Sequence, residues 1–231
     1  MEKKEFDKFA EEYDKLHQKN IKLSGEYPEF FHEYKIKDLK IIAKKEKLPE
    51  NSQILDFGCG IGNSIGIMKT YFPNSTIYGV DISEKSITLA QKRFGQFAKL
   101  QSYDGITLPY ADSQFDIIFA ACVFHHIPQI NYPTIFQEIK RILKPNGILV
   151  IFEHNPLNPL TVHAVNTCQF DENAVLISCS HLKKILITTA FTQVYSAYRI
   201  FFPHFLAKLR AVEVFLKWFP LGAQYYVVSK K

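Results

Sequence analysis

Three glycines alternate through the run ILDFGCGIGN, at Gly58, Gly60 and Gly62, with Asp56 two residues ahead of the first and Cys59 between the first pair. Alternating glycines let a backbone turn sharply and approach a ligand with no Cβ in the way. A helix starting behind such a turn offers free N–H groups to the same ligand. Nineteen residues beyond Gly62 the run STIYGVDIS reaches Asp81 and Ile82, where a carboxylate can accept both hydroxyls of a ribose. A dinucleotide fingerprint, G-x-G-x-x-G, needs a third glycine at position 63 or 65, and Asn63 and Ile65 stand there. A nucleoside without a diphosphate therefore fits this turn better.

Two histidine clusters follow. His125-His126 comes directly after FDIIFAACVF, and Glu153-His154-Asn155 closes GILVIFEHN. Histidine is the side chain best suited to take a proton near neutral pH. Neighbours on a helix point about 100° apart, so one of the vicinal pair faces a substrate at most, and His125 is the preferred candidate base. His154, stiffened by Pro156 and Pro159 in the exit loop, is the second candidate base or substrate ligand, with Asn155 beside it. Two vicinal histidines without a nearby Cys or Asp make no recognisable ligand set, so no metal is expected. His17, His32, His163, His181 and His204 have no supporting constellation.

The elements that must hold these residues alternate. SQILDF, STIYGVDI, AKLQSY, FDIIFAACVF and GILVIFEH read as strands. Between them NSIGIMKTYF, SEKSITLAQKRF (Ser83 as N-cap) and Thr134 to Leu143 read as helices, the last stopped by Lys144-Pro145-Asn146-Gly147. Strands alternating with helices predict a parallel sheet covered on both faces. Residues 1–50 read as an amphipathic helical segment, with Phe6, Phe9, Tyr13 and Leu16 at helical spacing. Towards the end come a helix from His181 to Ala190, the strand FTQVYSAYRIFF, a helical stripe from Phe205 to Phe219 and the strand AQYYVVSKK.

At 231 residues the chain holds one large sheet domain, and 47% hydrophobic with 22% charged residues excludes disordered, collagen-like and coiled-coil classes. A net charge of +5 without long basic runs argues against a nucleic-acid partner. Cys59, Cys122, Cys168 and Cys179 show no C-x-x-C spacing, which predicts reduced thiols and a cytoplasmic setting. Aromatic residues reach 14% and gather near the C-terminus, predicting an acceptor wall, a patch resting on a membrane surface, or a self-association surface.

From Ile54 to His154 the motifs and their order resemble the class I S-adenosylmethionine-dependent methyltransferases. ILDFGCGIGN is similar to the first motif of that family, whose glycines pass under the methionine part of the cofactor and whose acid orders the loop. VDIS resembles the second, which implies Asp81 on the ribose hydroxyls and Ile82 against the adenine. YDGITLPYADSQFD resembles the third, implying an adenine contact from Asp104 with backbone from Gly105. FDIIFAACVFHHI resembles the fourth, with Ala120 near the methionine end, and LKPNGILVIFE the fifth. The resemblance implies an α/β fold: a doubly wound, Rossmann-like seven-stranded sheet, mostly parallel with an antiparallel last strand and helices on both faces. It also implies a domain over 51–231 with substrate-side insertions at 155–180 and 203–222, and a lid in residues 1–50 whose Tyr13 approaches the cofactor carboxylate.

The implied reaction moves a methyl group from S-adenosyl-L-methionine to an oxygen, or less favourably a nitrogen or carbon, of a small molecule, leaving S-adenosyl-L-homocysteine. EHNPLNPLT, NTCQFDENAVL and WFPLGAQYYVV are similar to segments of bacterial methyltransferases associated with surface sugars, which implies a sugar or sugar-linked acceptor. The alternatives are a nicotinamide-dependent oxidoreductase and a protein that binds S-adenosylmethionine without transferring its methyl group.

Overall fold

The short apolar runs become seven strands; the central ones, β4 and most of β5, are buried on both faces, whereas β3 and β6 at the edges of the sheet are partly exposed. In the computed structural model, which describes residues 21–231, they are β1 (Gln53–Phe57), β2 (Thr76–Asp81), β3 (Ala98–Ser102), β4 (Phe115–Ala121), β5 (Leu143–His154), β6 (Thr192–Arg199) and β7 (Gln224–Lys230). They lie side by side in the order β3-β2-β1-β4-β5-β7-β6. The first five pair in parallel, and β7 runs antiparallel between β5 and β6. This is the doubly wound α/β sheet that the alternation and the resemblance predict. The strand order reverses between β1 and β4, and such a switch opens a crevice at the carboxyl ends of the strands.

Side-chain alternation divides the core in two. Leu55, Phe57, Ile118, Ala120, Leu149 and Ile151 face a layer built by α4 (Tyr132–Ile142) and α6 (Cys179–Thr188). Ile54, Ile117, Phe119, Val150 and Phe152 face the opposite layer, built by α1 (Pro28–Lys45), α2 (Ile65–Tyr71) and α3 (Glu84–Phe94). Helix α1 falls inside the stretch read as a cap, yet it buries Phe31, Tyr34, Ile36, Leu39 and Ile42 in this layer. It is part of the packing of the sheet. Tyr13 and the rest of residues 1–20 lie outside the described residues. Ser83 caps α3 as expected, its hydroxyl accepting the Ser86 N–H at 3.0 Å.

Three segments differ from the expected pattern. Strand β4 stops at Ala121 and does not reach Phe124. Cys122 turns the chain away with φ 59°, and the Glu153 carboxylate then takes the Val123 and Phe124 N–H groups that the sheet gives up. Lys144-Pro145-Asn146-Gly147 do follow the end of α4, but they lie within β5 as a bulge, where pairing jumps from Phe115–Leu143 to Ile117–Ile148. The stripe after Pro203 is a 3-10 segment, His204–Val212, followed by a single helical turn, α7 (Glu213–Leu216). Its apolar side chains do not enter the core: Phe205, Phe215 and Trp218 are 81%, 74% and 75% exposed. Of the C-terminal aromatics, Tyr225 and Tyr226 are buried in the sheet. Among the described residues no helix is long and apolar enough to cross a membrane.

Candidate active site

The glycine turn sits at the carboxyl end of β1 and is tied to β2. Gly60 N–H donates to Asp81 Oδ2 at 2.9 Å and Ser83 N–H to Asp81 Oδ1 at 2.9 Å, so Asp81 fixes the turn against the start of α3. All three glycines have positive φ, but they do different work. A Cβ on Gly58 would lie 2.5 Å from Val123, and one on Gly62 would lie 2.8 Å from the Phe94 ring, so these two permit close packing of neighbouring elements. At Gly60 a Cβ would meet nothing within 4 Å. Its open side is a cradle facing a cavity.

That cavity, of ≈ 300 Å³, runs from Asp56, Gly58, Cys59, Gly60, Asp81 and Ile82 to the ends of β4 and β5. A second space of ≈ 250 Å³ adjoins it through Ile82 and Tyr103 and is lined by Asp104, Gly105, Ile106 and Asn131. One elongated groove thus brings together most residues singled out from the sequence. Asp104 already uses Oδ1 to accept the Ile106 and Thr107 N–H groups at 2.8 Å each, and these bonds hold its carboxyl below the ordinary range. Two expected contacts are absent from the lining. Ala120 points into the α4/α6 layer and Ala121, on the alternate face of β4, lines the cavity instead; Gly62 packs against Phe94.

Charge is concentrated along the cavity floor. Asp56 is buried, and burial together with the nearby Asp81 pushes its carboxyl up to about 8, against the pull of Lys35. Lys35, on α1, is itself buried, with Nζ 3.6 Å from Cys122 Sγ. Burial alone would raise the Cys122 thiol, but His154 and Lys35 outweigh it and bring it to about 7. His154 lines the cavity next to this thiol, and its Nδ1 lies 3.3 Å from Gln224 Nε2, opposite it in the β5–β7 register. Gln224 is held in turn by the Tyr34 hydroxyl. Burial opposes a charge on His154, yet the neighbouring Cys122 raises its pKa.

His125 is placed differently. It is 2% exposed, with Nδ1 2.5 Å from Glu153 Oε2 and Nε2 3.6 Å from Asp171 Oδ1. His126 Nε2 lies 3.3 Å from the same oxygen. Despite desolvation, Glu153 and Asp171 raise the His125 pKa well above its ordinary value. Both of its ring nitrogens face carboxylates, whereas His154 has the Gln224 amide and the Cys122 thiol as neighbours. Asn155, considered beside His154, is a latch: Nδ2 donates to Pro220 and Gly222 carbonyls at 3.0 and 2.8 Å, and Oδ1 accepts the Leu157 N–H at 3.1 Å.

Several lining residues escaped the sequence. Asp171 sits in a short 3-10 turn, far along the chain from His125, with no motif of its own. His32 and Lys35 lie on α1, and Tyr103 precedes the expected Asp104 by one residue. Only Tyr103 was within reach, as the residue beside a singled-out acid. The far wall, Leu160, Ala164, Val165, Ile200, Phe201 and Phe202, comes from α5 (Pro159–Asn166) and the segment after β6.

The comparisons with known proteins agree with this geometry. Residues 55–151 match the family described as "Methyltransferase domain". A demethylmenaquinone methyltransferase of Lactobacillus johnsonii is 33% identical over 128 residues, 52% of this chain and 52% of that one. A sterol 4-C-methyltransferase of Caenorhabditis elegans is 30% identical over 117 residues, 48% of this chain and 34% of its own length. The chain thus spans about half or less of the curated relatives it matches. A solved S-adenosylmethionine-dependent methyltransferase of Thermotoga maritima superposes with a TM-score of 0.70 over 98% of both chains at 19% identity, which establishes the shared fold. Fold, open glycine cradle and matched segment agree: residues 55–151 are similar to a methyltransferase domain, on a sheet shared with a solved S-adenosylmethionine-dependent methyltransferase.

Proposed function

We propose that this chain transfers a methyl group from S-adenosylmethionine to a proton-bearing oxygen or carbon of a small, largely apolar molecule. The observation that carries the reading is the single cavity joining the Gly60 cradle and Asp81 to the histidines at the ends of β4 and β5. When bound, the cofactor supplies an activated methyl on a sulfonium, whose leaving group is a neutral thioether. The chain must then bind, align and deprotonate the acceptor.

Asp81 offers its carboxylate to the ribose, and Ile82, Tyr103, Asp104 and Gly105 frame the base in the adjoining space. Asp56, whose ionised form a cationic ligand would favour, and Lys35 on the floor of the cavity suit the ammonium and carboxylate of the methionine part. His154 takes the acceptor proton, with Gln224 steadying its ring. The wall of α5 and Phe201–Phe202 borders the acceptor space on its far side.

That wall also bears on the acceptor. A sugar needs hydrogen-bonding groups, whereas Leu160, Ala164, Val165, Ile200, Phe201 and Phe202 offer apolar surface. The relatives named for demethylmenaquinone and for a sterol carbon point the same way. The test measures S-adenosylhomocysteine release with quinols, phenols and sterols on one side and sugars or nucleotide sugars on the other. Release with the apolar set is expected. Release with sugars alone would overturn the acceptor class, and failure to bind S-adenosylmethionine would overturn the whole reading.

A further inference from the structure

We propose that His125, His126 and Asp171 hold a divalent first-row transition-metal ion at the acceptor end of the cavity. The presence of the ion stands on these residues alone; only its catalytic use rests on the methyl-transfer reading.

The hydrogen bonding of His125 sets the problem. Its Nδ1 is 2.5 Å from Glu153 Oε2, while the other oxygen of Glu153 is occupied by the Val123 and Phe124 N–H groups. A ring that donates Nδ1–H to a carboxylate keeps its lone pair on Nε2, the arrangement found where a second carboxylate orients a metal-bound histidine. That Nε2 faces Asp171 Oδ1, itself an acceptor. Two acceptor atoms facing each other are bridged either by a proton on Nε2 or by a metal ion.

Distance separates a proton from a metal. A charged N–H···O bond is about 2.7–2.9 Å long. The separations here are 3.6 Å from His125 Nε2 and 3.3 Å from His126 Nε2 to the same Asp171 oxygen. Ligand atoms about 2.1 Å from a shared ion in tetrahedral geometry stand ~3.4 Å apart. The three donor atoms lie within 4.8 Å of one another, so a small inward movement of the rings completes the set.

Two imidazoles and one carboxylate suit zinc, iron(II), cobalt or manganese better than magnesium or calcium, which prefer oxygen alone. Three protein ligands leave a coordination position open, as catalytic sites do. All three residues line the cavity, so that position faces the acceptor. The class of acceptor follows: an apolar molecule carrying an oxygen, as hydroxyl or enolisable carbonyl, at or next to the atom to be methylated. Coordination lowers the pKa of that oxygen. The S–CH3 bond then breaks with its electron pair on sulfur, the new bond uses the acceptor's pair, and the proton leaves to His154; the metal changes no oxidation state.

The full chain, stripped with EDTA, is titrated with Co2+ without cofactor or acceptor. Saturable binding of one ion per chain, with a visible d–d absorption that Zn2+ abolishes, is expected. Asp171→Asn and His126→Ala should each weaken binding at least about 10-fold. Calorimetry with S-adenosylmethionine reports separately on folding and on the cofactor site, so a variant that keeps cofactor affinity but loses Co2+ supports the proposal. No stoichiometric Co2+ or Zn2+ binding by the wild-type chain, or affinity unchanged in both variants, would overturn it. Neither result depends on methyl transfer, so the two readings fail separately.

Discussion

The two ends of the cavity are built by opposite means. The end assigned to the cofactor comes, apart from Lys35 on α1, from one stretch, Asp56 to Gly105, in which turns at strand ends form most of the lining and Asp81 ties them together. The acceptor end gathers single side chains from α1, the ends of β4 and β5, the turn at Asp171, the segment after β6 and the start of β7. A site made by backbone in a local stretch binds the same molecule on many chains. A site made by side chains from distant loops can change its partner with few substitutions.

The sharpest way to break this contrast is to remove chemistry from the acceptor end alone. His154→Asn should lower turnover by about 10²–10⁴-fold, the usual contribution of a general base, and leave S-adenosylmethionine affinity within about twofold. Single-turnover formation of S-adenosylhomocysteine and calorimetry measure the two. A loss of both together would mean that the ends are not independent. The mirror experiment is Asp81→Asn: a hydrogen bond to a charged group contributes about 1.5–3 kcal/mol, so cofactor affinity should fall at least about 10-fold while the acceptor KM holds. The melting temperature should fall too, because Asp81 also accepts the Gly60 and Ser83 N–H groups.

A finer division lies within the glycine turn. Gly60→Ala places a methyl group in the open cradle and should cost cofactor affinity several-fold, with only the ~1 kcal/mol that a left-handed alanine adds. Gly62→Ala drives a methyl towards the Phe94 ring and should act in the reverse sense, lowering the melting temperature more than the affinity. Equal effects of the two on binding would show that the turn responds as one rigid piece.

This contrast also marks how much the sequence could say. The sheet, its mostly parallel pairing and the glycine turn at the end of β1 are legible because strand alternation, Ser83 as a cap and the Gly58–Gly62 spacing are local signals. The end of β4 was not legible, since it depends on Glu153 capturing the Val123 and Phe124 amides from the neighbouring strand. Of Ala120 and Ala121 only the second turns its side chain to the cavity, a difference of one residue that local spacing does not resolve, since it moves a side chain to the other face of a strand. Asp171 was invisible beside His125-His126 because tertiary folding alone brings it there. The stripe at Phe205–Phe219 has an α-helical period, but the chain forms a 3-10 segment and a single helical turn there, and Phe205 and Phe215 face outward.

The smallest expected effect joins cofactor binding to pH through Asp56. Its carboxyl is pushed up to about 8 in the folded chain, by burial and by the charge of Asp81 against Lys35, and returns to about 3.9 when unfolded. Between these values the folded state keeps a proton that the unfolded chain has released. Stability from this group is therefore complete below about pH 4 and declines until the pH passes about 8. Asp56→Asn carries no such proton, so its melting temperature should exceed that of the wild type at pH 8 and converge with it towards pH 4. A cationic cofactor favours the ionised carboxylate. Wild-type affinity for S-adenosylmethionine should accordingly rise by a few-fold from pH 6 to about pH 8, with proton release visible in buffers of different ionisation heat, and the asparagine variant should show a flat profile. A flat profile in the wild type would detach Asp56 from the cofactor's ammonium, leaving the methionine end of the site to Lys35 and the backbone of the turn.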